Sequence, residues 1–389
     1  MRIGVIKESR PGENRVALAP ESCKKLAQAG FTVSIESGAG RAAFYSDEAY
    51  RDAGAAVEAD PAALLGSAEI VLKVHAPAAD ASARDEIRWM RPGTILVGSL
   101  MPTRNLEAVR ALADRRVTAF STDSIPRTTR AQAMDTLSSM ANITGYKGAL
   151  LGAAELGKYF PMFMTAAGTV LPARVFVIGA AVAGLQAIAT ARRLGANVIA
   201  TDVRPEVKEQ IESLGAKYVG VELKESAAAG GGYARELSEE DKARQRELLA
   251  EQCAAADVVI TTALVGGVMA PRLITAAMVR RMRPGSVIVD LGADGGGNCE
   301  LSRLGESVVE NGVRILAPLN LPATMPTHAS LLFSRNLTAF VRTFAKDAAF
   351  VIDLTDDIQK GSIITHGGEI LHAKAREALD RARKSEVIG

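Results

Sequence analysis

The chain has 389 residues, and its 46 Lys and Arg residues nearly balance 44 Asp and Glu residues, giving a formal net charge of +2. This balance excludes the basic field that attracts nucleic acid, and 48% hydrophobic residues with 35 glycines suit an ordinary α/β protein. At roughly 100–200 residues per domain, the length predicts two or three domains.

Short apolar runs alternate with helical patterns through the first third of the chain. Such alternation predicts βαβ units and parallel sheets, whose strands are covered on both faces and therefore read as continuous apolar runs. The first series of predicted strands is Arg2–Ile6, Thr32–Glu36, Ile70–Val74, Thr94–Val97 and Val117–Ser121.

A long helical stretch, about Ala131 to Phe160, separates this series from a second one. We therefore predict an α/β fold with two doubly wound, Rossmann-like parallel-sheet domains separated by a cleft. The second series of predicted strands is Arg174–Ile178, Val198–Thr201, Lys217–Val219, Val258–Thr262, Ser286–Asp290 and Val313–Ala317.

The last part of the chain is expected to return to the first domain. An apolar helical pattern, Leu331 to Phe344, should pack on the first half, and the charged tail from Lys346 to Gly389 is expected to be peripheral. The predicted domains are thus residues 1–130 with 327–389, and residues 131–326. Residues 90–97 resemble residues 282–289, which indicates either domain-level similarity or a helix–Pro-Gly–strand junction common to such folds.

The strongest motif opens the second series: residues 178–187 (IGAAVAGLQA) follow a strand and begin a helix. In a dinucleotide fingerprint, Gly179 permits the tight turn and Gly184 allows close packing of helix and strand, while the helix N-terminus attracts the pyrophosphate. We predict that Gly179, Ala181, Val182 and Gly184 bind the cofactor. The middle position is Ala181 rather than glycine, so its methyl group should press on the pyrophosphate unless the turn shifts.

Asp202 ends the next predicted strand, 18 residues after Gly184. An acidic residue there hydrogen-bonds the adenosine ribose and repels a 2′-phosphate, so it favours NAD(H) over NADP(H). Arg204 weakens this preference, because a nearby arginine accommodates a 2′-phosphate. Leu264, past the strand Val258–Thr262, is also expected to contact the cofactor.

Three charged or titratable residues of the first half have two interpretations. Lys73 and His75 are two residues apart near a strand end, so they share a face and could handle a keto or amino acid whose carboxylate Arg15 holds. Alternatively, Lys73 and Arg15 are cleft or surface charges and His75 caps a strand.

The segment from Pro126 to Tyr146 lies at the junction of the two predicted domains, where a cofactor cleft should open. Gln132, Asp135 and Ser138 recur at helical spacing and should share a face. With Arg127 they can position a nucleotide by hydrogen bonds without supplying a proton. The plainer interpretation is the solvated start of a helix.

Two glycine-rich segments follow in the second half. Residues 230–233, with Tyr233 as the only large group, are either a mobile lid over the cofactor or an ordinary insertion. Residues 291–300 follow another strand's carboxyl end, the edge at which ligands bind open α/β sheets. Cys299 is interpreted as a packed thiol. The three cysteines include no CxxC pair, so the sequence predicts neither a disulfide framework nor a metal site and favours a reducing compartment.

The N-terminus has no long apolar region, so no signal peptide is expected. The longest apolar stretches, such as Thr94 to Met101, fall short of the roughly 18–20 residues of a membrane-spanning helix. The chain is therefore expected to have no membrane span of its own.

Over nearly its full length the sequence resembles the first, NAD(H)-binding domain of proton-translocating transhydrogenases. Residues 12–18 (GENRVAL) and 73–77 (KVHAP) are shared with the related alanine dehydrogenases. The discriminating matches are residues 127–146, 202–207 (DVRPEV), 230–233 and 296–300 (GGNCE). The chain departs from the family pattern at Ala181, usually Gly; at Met140, usually Gln; and at His75, more often Asn.

The resemblance implies direct hydride transfer from NADH on this chain to NADP⁺ on a partner NADP(H)-binding domain, with proton movement in membrane-spanning subunits. Arg127, Gln132 and Asp135 would contact the nicotinamide end and the partner domain, positioning it without acid–base chemistry, and Tyr233 would fold over the nucleotide. A homodimer, cytoplasmic and peripherally associated with the inner membrane through its partners, is expected.

Two alternatives remain. A stand-alone, alanine-dehydrogenase-like enzyme would use Lys73 and Arg15, but that family also needs a histidine that residues 97–101 (VGSLM) lack. A nucleotide-binding regulatory or scaffold protein would keep the fold and have no use for the polar face from Arg127 to Ser138.

Overall fold

The computed structural model describes residues 1–77, 85–221, 238–264 and 269–388, with side chains to residue 382. The chain divides into two compact units: Met1–Met140 with Pro322–Gly389, and Ala141–Leu321. The first unit includes the turn after residue 130, because Ala131 and Met134 are buried in its core and Asn336 Nδ2 donates a 2.9 Å hydrogen bond to the Ala133 carbonyl.

The strands of the described residues, in chain order, are β1 (Arg2–Val5), β2 (Thr32–Glu36), β3 (Ala56–Glu58), β4 (Ile70–His75), β5 (Ile95–Ser99), β6 (Thr118–Ser121), β7 (Phe163–Thr165), β8 (Gly168–Val170), β9 (Arg174–Ile178), β10 (Asn197–Thr201), β11 (Lys217–Tyr218), β12 (Val258–Thr261), β13 (Val287–Asp290), β14 (Ser307–Glu310), β15 (Val313–Leu316), β16 (Ala345–Lys346), β17 (Ala349–Phe350), β18 (Ile363–His366) and β19 (Glu369–Ile370).

The α-helices are α1 (Pro20–Gln28), α2 (Asp47–Asp52), α3 (Pro61–Ser67), α4 (Glu86–Trp89), α5 (Leu106–Asp114), α6 (Thr136–Glu155), α7 (Val182–Arg193), α8 (Lys208–Ser213), α9 (Glu239–Ala255), α10 (Ala276–Arg280), α11 (Pro326–Thr343), α12 (Asp357–Ser362) and α13 (Ala373–Ile388). Short 3₁₀ turns cover Arg41–Ala43, Thr122–Ser124, Thr129–Met134, Pro205–Val207, Ala293–Gly295 and Leu321–Thr324.

The first unit is built on an eight-stranded sheet with the order β19-β18-β6-β5-β4-β1-β2-β3, in which β1 to β6 run parallel. Its two faces carry separate apolar clusters, as expected for a sheet covered on both sides. The predicted helix at Leu331 to Phe344 is present as part of α11, and Phe333, Leu337 and Phe340 are buried in the same core.

The prediction of a peripheral tail is wrong. Strand β18 pairs antiparallel with β6 inside the main sheet, and Ile364 and Thr365 have no exposed surface. The buried run is only four residues long and is set among charged residues, so the overall charge of the segment concealed it.

The second unit has a seven-stranded sheet with the order β11-β10-β9-β12-β13-β15-β14, parallel except for β14. Strand β9 (RVFVI) is an interior strand between β10 and β12, and four of its five residues are buried. The chain moves outward from β9 on one side through β10 and on the other through β12, so the carboxyl end of β9 is the topological switch point at which ligands bind such sheets. The predicted α/β fold with two doubly wound parallel sheets is confirmed.

The helix predicted from Ala131 to Phe160 is two elements in the structure: a 3₁₀ turn, Thr129–Met134, and α6. Glycines let α6 lie close to the second sheet. A Cβ at Gly148 would be 2.6 Å from Leu291 Cδ1, and one at Gly152 would be 2.8 Å from Val258 Cγ1. Any side chain at these two positions would push the helix away.

Candidate nucleotide-binding site

The glycine turn after β9 adopts the geometry that the fingerprint predicts. Gly179 has a φ of +90°, which L-residues rarely adopt, and α7 begins three residues later at Val182. A Cβ at Gly184 would lie 1.9 Å from the Gly179 carbonyl oxygen, so the first turn of α7 meets the strand at a distance that only glycine permits. Gly195, with a φ of +89°, follows the helix at the C′ position.

Ala181 occupies the helix N-cap position, and its side chain makes no capping hydrogen bond. Its φ of −76° and ψ of −167° are extended backbone that any residue adopts. The turn therefore does not need glycine there. The amides of the first turn of α7 lie at the positive end of the helix dipole, which suits a pyrophosphate.

Asp202 ties the end of β10 to the glycine turn. Its Oδ2 accepts a 2.7 Å hydrogen bond from the amide of Ala180. The same carboxylate binds Arg204 through the backbone amide, Nε and Nη2, each at 2.9 Å. Arg204 therefore forms a bidentate ion pair with Asp202, and the carboxylate neutralises the arginine charge.

Two residues that the sequence analysis did not single out support the turn. Thr262 Oγ1 donates a 3.0 Å hydrogen bond to the Gly179 carbonyl, so the end of β12 supports the turn from the side. Gly145 of α6 lies so near the start of α7 that a Cβ there would be 2.0 Å from the Ala183 carbonyl oxygen. Gly145 lies within the segment 126–146 and Thr262 ends a predicted strand, but only the fold brings the two residues to the turn.

Val182 and Leu264, the other predicted contacts in this unit, are partly exposed apolar side chains. Tyr233 and the proposed lid at residues 230–233 lie outside the described residues.

A cavity of about 390 Å³ lies in the first unit, at the carboxyl end of β6. Arg127, Gln132, Asp135 and Ser138 all line it, so the structure brings the four predicted positioning residues together. The remaining lining residues are Thr122, Ile125, Pro126, Thr128, Thr129, Ala131 and Leu137.

The helical face expected from Gln132 through Asp135 to Ser138 is not formed. Asp135 precedes α6, and its carboxylate accepts a 2.8 Å hydrogen bond from the Ser138 amide and a 2.5 Å hydrogen bond from the Ser138 hydroxyl. Such local bonding favours a helix start over a helix interior. Gln132 lies before this cap, on the 3₁₀ turn, and its side chain is exposed.

Lys73 and its neighbours form ion pairs within the first unit. The Lys73 ammonium is 1% exposed and lies 3.0 Å from Glu86 Oε2 and 3.3 Å from Glu8 Oε2. Burial alone lowers the pKa of Lys73, but the two carboxylates outweigh it and raise that pKa above its ordinary value. The ammonium is therefore held in its charged form.

Glu13 similarly engages Arg15 and His75. Arg15 Nε and Nη2 donate to the Glu13 carboxylate at 2.9 and 2.7 Å, and His75 Nε2 lies 2.6 Å from Glu13 Oε2. Burial acts to raise the pKa of Glu13, but these partners hold it well below its usual range.

Cys299 is fully buried, and burial raises the pKa of its thiol, which suits the predicted packed residue rather than a nucleophile.

Across residues 1–77, 85–221, 238–264 and 269–388, no helix is both long and apolar enough to cross a membrane.

Comparison with known proteins places both halves of the chain in one family. The family model described as "Alanine dehydrogenase/PNT, N-terminal domain" matches residues 4–144, and that described as "Alanine dehydrogenase/PNT, C-terminal domain" matches residues 148–373. A protein of Rhodospirillum rubrum, named as the first part of the alpha subunit of an NAD(P) transhydrogenase, is 46% identical over 376 residues, covering 96% of this chain and 98% of the relative.

Two solved structures have the same architecture. The crystal structure of a transhydrogenase from Sinorhizobium meliloti is 44% identical, with a TM-score of 0.86 over 95% of this chain and 100% of the other. An L-alanine dehydrogenase is 26% identical, with a TM-score of 0.81 over 98% and 99% of the two chains.

Proposed function

The chain belongs to the alanine dehydrogenase/PNT family, and on that premise we propose that it is the NAD(H)-binding component of a proton-translocating transhydrogenase. The observation that carries this proposal is the glycine turn at the carboxyl end of β9, joined by the Ala180 amide to Asp202. This arrangement fits the pyrophosphate and adenosine ribose of a dinucleotide.

The proposed reaction moves a hydride, two electrons with one hydrogen nucleus, from C4 of NADH on this chain to C4 of NADP⁺ on a partner subunit. No proton transfer accompanies this step, so the chain needs positioning groups rather than an acid or base. The turn at Gly179 and Gly184 holds the pyrophosphate and Asp202 the ribose. Arg127, Gln132, Asp135 and Ser138 orient the nicotinamide end, because rings held about 3–3.5 Å apart react far faster than free ones.

The runner-up, an alanine-dehydrogenase-like enzyme acting alone, requires a general base and a carboxylate-binding cation. The contacts of Lys73 and Arg15 oppose these two roles. A base acting near neutral pH needs a lowered lysine pKa, whereas the pKa of Lys73 is raised by Glu8 and Glu86. The Arg15 fork already binds Glu13 in bidentate fashion.

The decisive experiment measures hydride transfer from NADH to an NADP⁺ analogue with and without the membrane-spanning and NADP(H)-binding subunits of a transhydrogenase. We expect turnover only in the reconstituted complex, where hydride transfer is coupled to the movement of protons across the membrane. Pyruvate with ammonium should not oxidise NADH on the purified chain. Robust oxidation there, abolished by Lys73→Ala, would instead establish the stand-alone dehydrogenase.

Nucleotide preference should depend on the Asp202–Arg204 pair. We expect the native chain to bind NADH more tightly than NADPH, and Asp202→Asn to narrow or reverse the difference. The change removes the negative charge that repels a 2′-phosphate. It also weakens the ion pair that holds Arg204, so the guanidinium can bind the 2′-phosphate of NADPH. A new hydrogen bond from Arg204 to the 2′-phosphate is worth roughly 1.5–3 kcal/mol.

Calorimetric titration with both nucleotides measures this preference. Asp257→Asn is the matched control, because Asp257 also accepts a backbone amide, that of Arg174, and pairs with a cation, Lys158, but lies at the amino end of β12. If the native chain binds NADPH as tightly as NADH, the attraction of Arg204 for the 2′-phosphate outweighs the repulsion by Asp202.

We also propose that two copies of the chain form a homodimer through the β7–β8 hairpin. All six hairpin strand residues are exposed, and apolar side chains dominate the segment, with Met164 at 78% and Leu171 at 77% exposure. An isolated two-stranded hairpin is marginally stable in water, and isologous pairing with a second copy would bury both hairpins at once.

Sedimentation equilibrium tests the dimer. The native chain should sediment as a dimer, and the double variant Met164→Asp/Leu171→Asp should sediment as a monomer. Val309→Asp changes an equally apolar, exposed residue on β14 and should leave the dimer intact. A monomeric native chain would rule out the proposed assembly.

A further inference from the structure

The loop after β13, residues 291–299, wraps around a buried carboxylate. Asp290 has no exposed surface, and its Oδ1 accepts hydrogen bonds from Thr261 Oγ1 and the amides of Gly292 and Asn298, at 3.0–3.1 Å. Its Oδ2 accepts from the amide of Cys299 at 3.0 Å and from Ser302 Oγ at 2.6 Å. The five donors satisfy the buried charge and fix the loop.

This wrapping places the fully buried side chain of Asn298 against the segment that follows β12. Asn298 Oδ1 accepts a 3.1 Å hydrogen bond from the Ala263 amide, and its Nδ2 donates 2.9 Å hydrogen bonds to the carbonyls of Ala263 and Pro271. The amide thus pairs with both polar groups of one residue, as a neighbouring strand does, and its two donors and its oxygen are all engaged.

The clamped segment adjoins the glycine turn. Thr262, the residue before Ala263, donates to the Gly179 carbonyl, and the amide nitrogen of Ala263 lies 3.3 Å from where a Cβ on Gly179 would be. Leu264, the next residue, presents a partly exposed apolar side chain. A displacement of Ala263 would therefore change both the support of the turn and the placement of Leu264.

We infer that Asn298 is a positioning residue for nucleotide binding, which holds Ala263 and Leu264 beside the glycine turn. It acts through these residues, not by direct contact. The inference rests on the proposed function, because it assumes that the turn binds a nucleotide. The loop glycines fit this purpose: a Cβ at Gly292 would lie 2.6 Å from Asn298 Oδ1, so a larger residue would displace the clamp.

The test compares NADH affinity with amide hydrogen exchange at residues 262–264 in Asn298→Ala. We expect the dissociation constant to rise about tenfold, because the three hydrogen bonds that hold the segment are lost, and amide exchange in the free protein to accelerate by a similar factor. Asn311→Ala is the matched control, because Asn311 also donates to a backbone carbonyl in this unit, that of Arg280, but is exposed. It should change neither quantity.

If Asn298→Ala does not fold, Asn298→Asp is measured instead. Aspartate has nearly the same volume and still accepts the hydrogen bond from the Ala263 amide, but it cannot donate to the carbonyls of Ala263 and Pro271. Faster exchange with an unchanged dissociation constant would overturn the inference, as would weaker binding without faster exchange. A native chain that binds no NADH would instead contradict the proposed function, and exchange in the free protein would still report whether the clamp holds the segment.

Discussion

Gly184→Ala is expected to weaken NADH binding on the order of 100-fold. The added Cβ would lie 1.9 Å from the Gly179 carbonyl oxygen. This oxygen is a backbone atom, so the clash cannot be relieved by rotating a side chain. The first turn of α7 must therefore move off β9 and carry its amides away from the pyrophosphate. Losing one or two hydrogen bonds to a charged group, at about 1.5–3 kcal/mol each, gives an effect of this size.

Calorimetric titration with NADH measures the change, and thermal unfolding measured in parallel separates it from loss of the fold. Gly157→Ala is the control, because Gly157 lies in the same unit and a Cβ there has no neighbour within 4 Å. Gly184→Ala with native affinity would mean that the turn does not hold the nucleotide, and the proposed function would lose its main support.

Gln132→Asn is expected to slow hydride transfer by roughly 10–150-fold while changing NADH affinity much less. Asparagine keeps the amide and shortens the side chain by one methylene, so the change tests position rather than chemistry. An aligning hydrogen bond worth about 1.5–3 kcal/mol in the transition state accounts for that range. The glycine turn and Asp202 would still hold the other end of the nucleotide.

Stopped-flow transfer in the reconstituted complex, with the NADH dissociation constant measured alongside, separates the two effects. Gln210→Asn, on the exposed surface of α8, is the matched control. Weaker NADH binding with an intact transfer rate would make the 127–138 segment a nucleotide pocket only, without a role in alignment.

The main features of both sheets were predictable from sequence because buried parallel strands are continuous apolar runs. All eleven predicted strands are present, with ends shifted by a few residues at most. The strands that were missed are short or at sheet edges: β3 has no fully buried residue, and β18 is a buried run within a charged tail. Local composition does not report pairing with a strand more than 200 residues away.

The site was predictable where a motif carries its own geometry, as at Gly179, Gly184 and Asp202. It was not predictable where the fold brings distant residues together. Gly145 and Thr262 reach the glycine turn from two different elements, and Asn298 bonds Ala263, the residue after Thr262. The sequence around these three residues does not indicate the contacts that they make. The prediction that Gln132, Asp135 and Ser138 share one helical face was wrong because Asp135 caps the start of α6. Residues before that cap, such as Gln132, do not follow the periodicity of the helix.

The two units differ in how soon a growing chain can complete them. The second unit is one uninterrupted stretch that ends at Leu321, so all its strands have been synthesised by that point. The first unit must wait, because the aromatic residues of α11 and the strand β18 come last, and until then the edge of β6 has no partner. An unpaired, apolar edge strand is an aggregation hazard. During synthesis, therefore, the half of the protein that is made first is the half that needs protection longest.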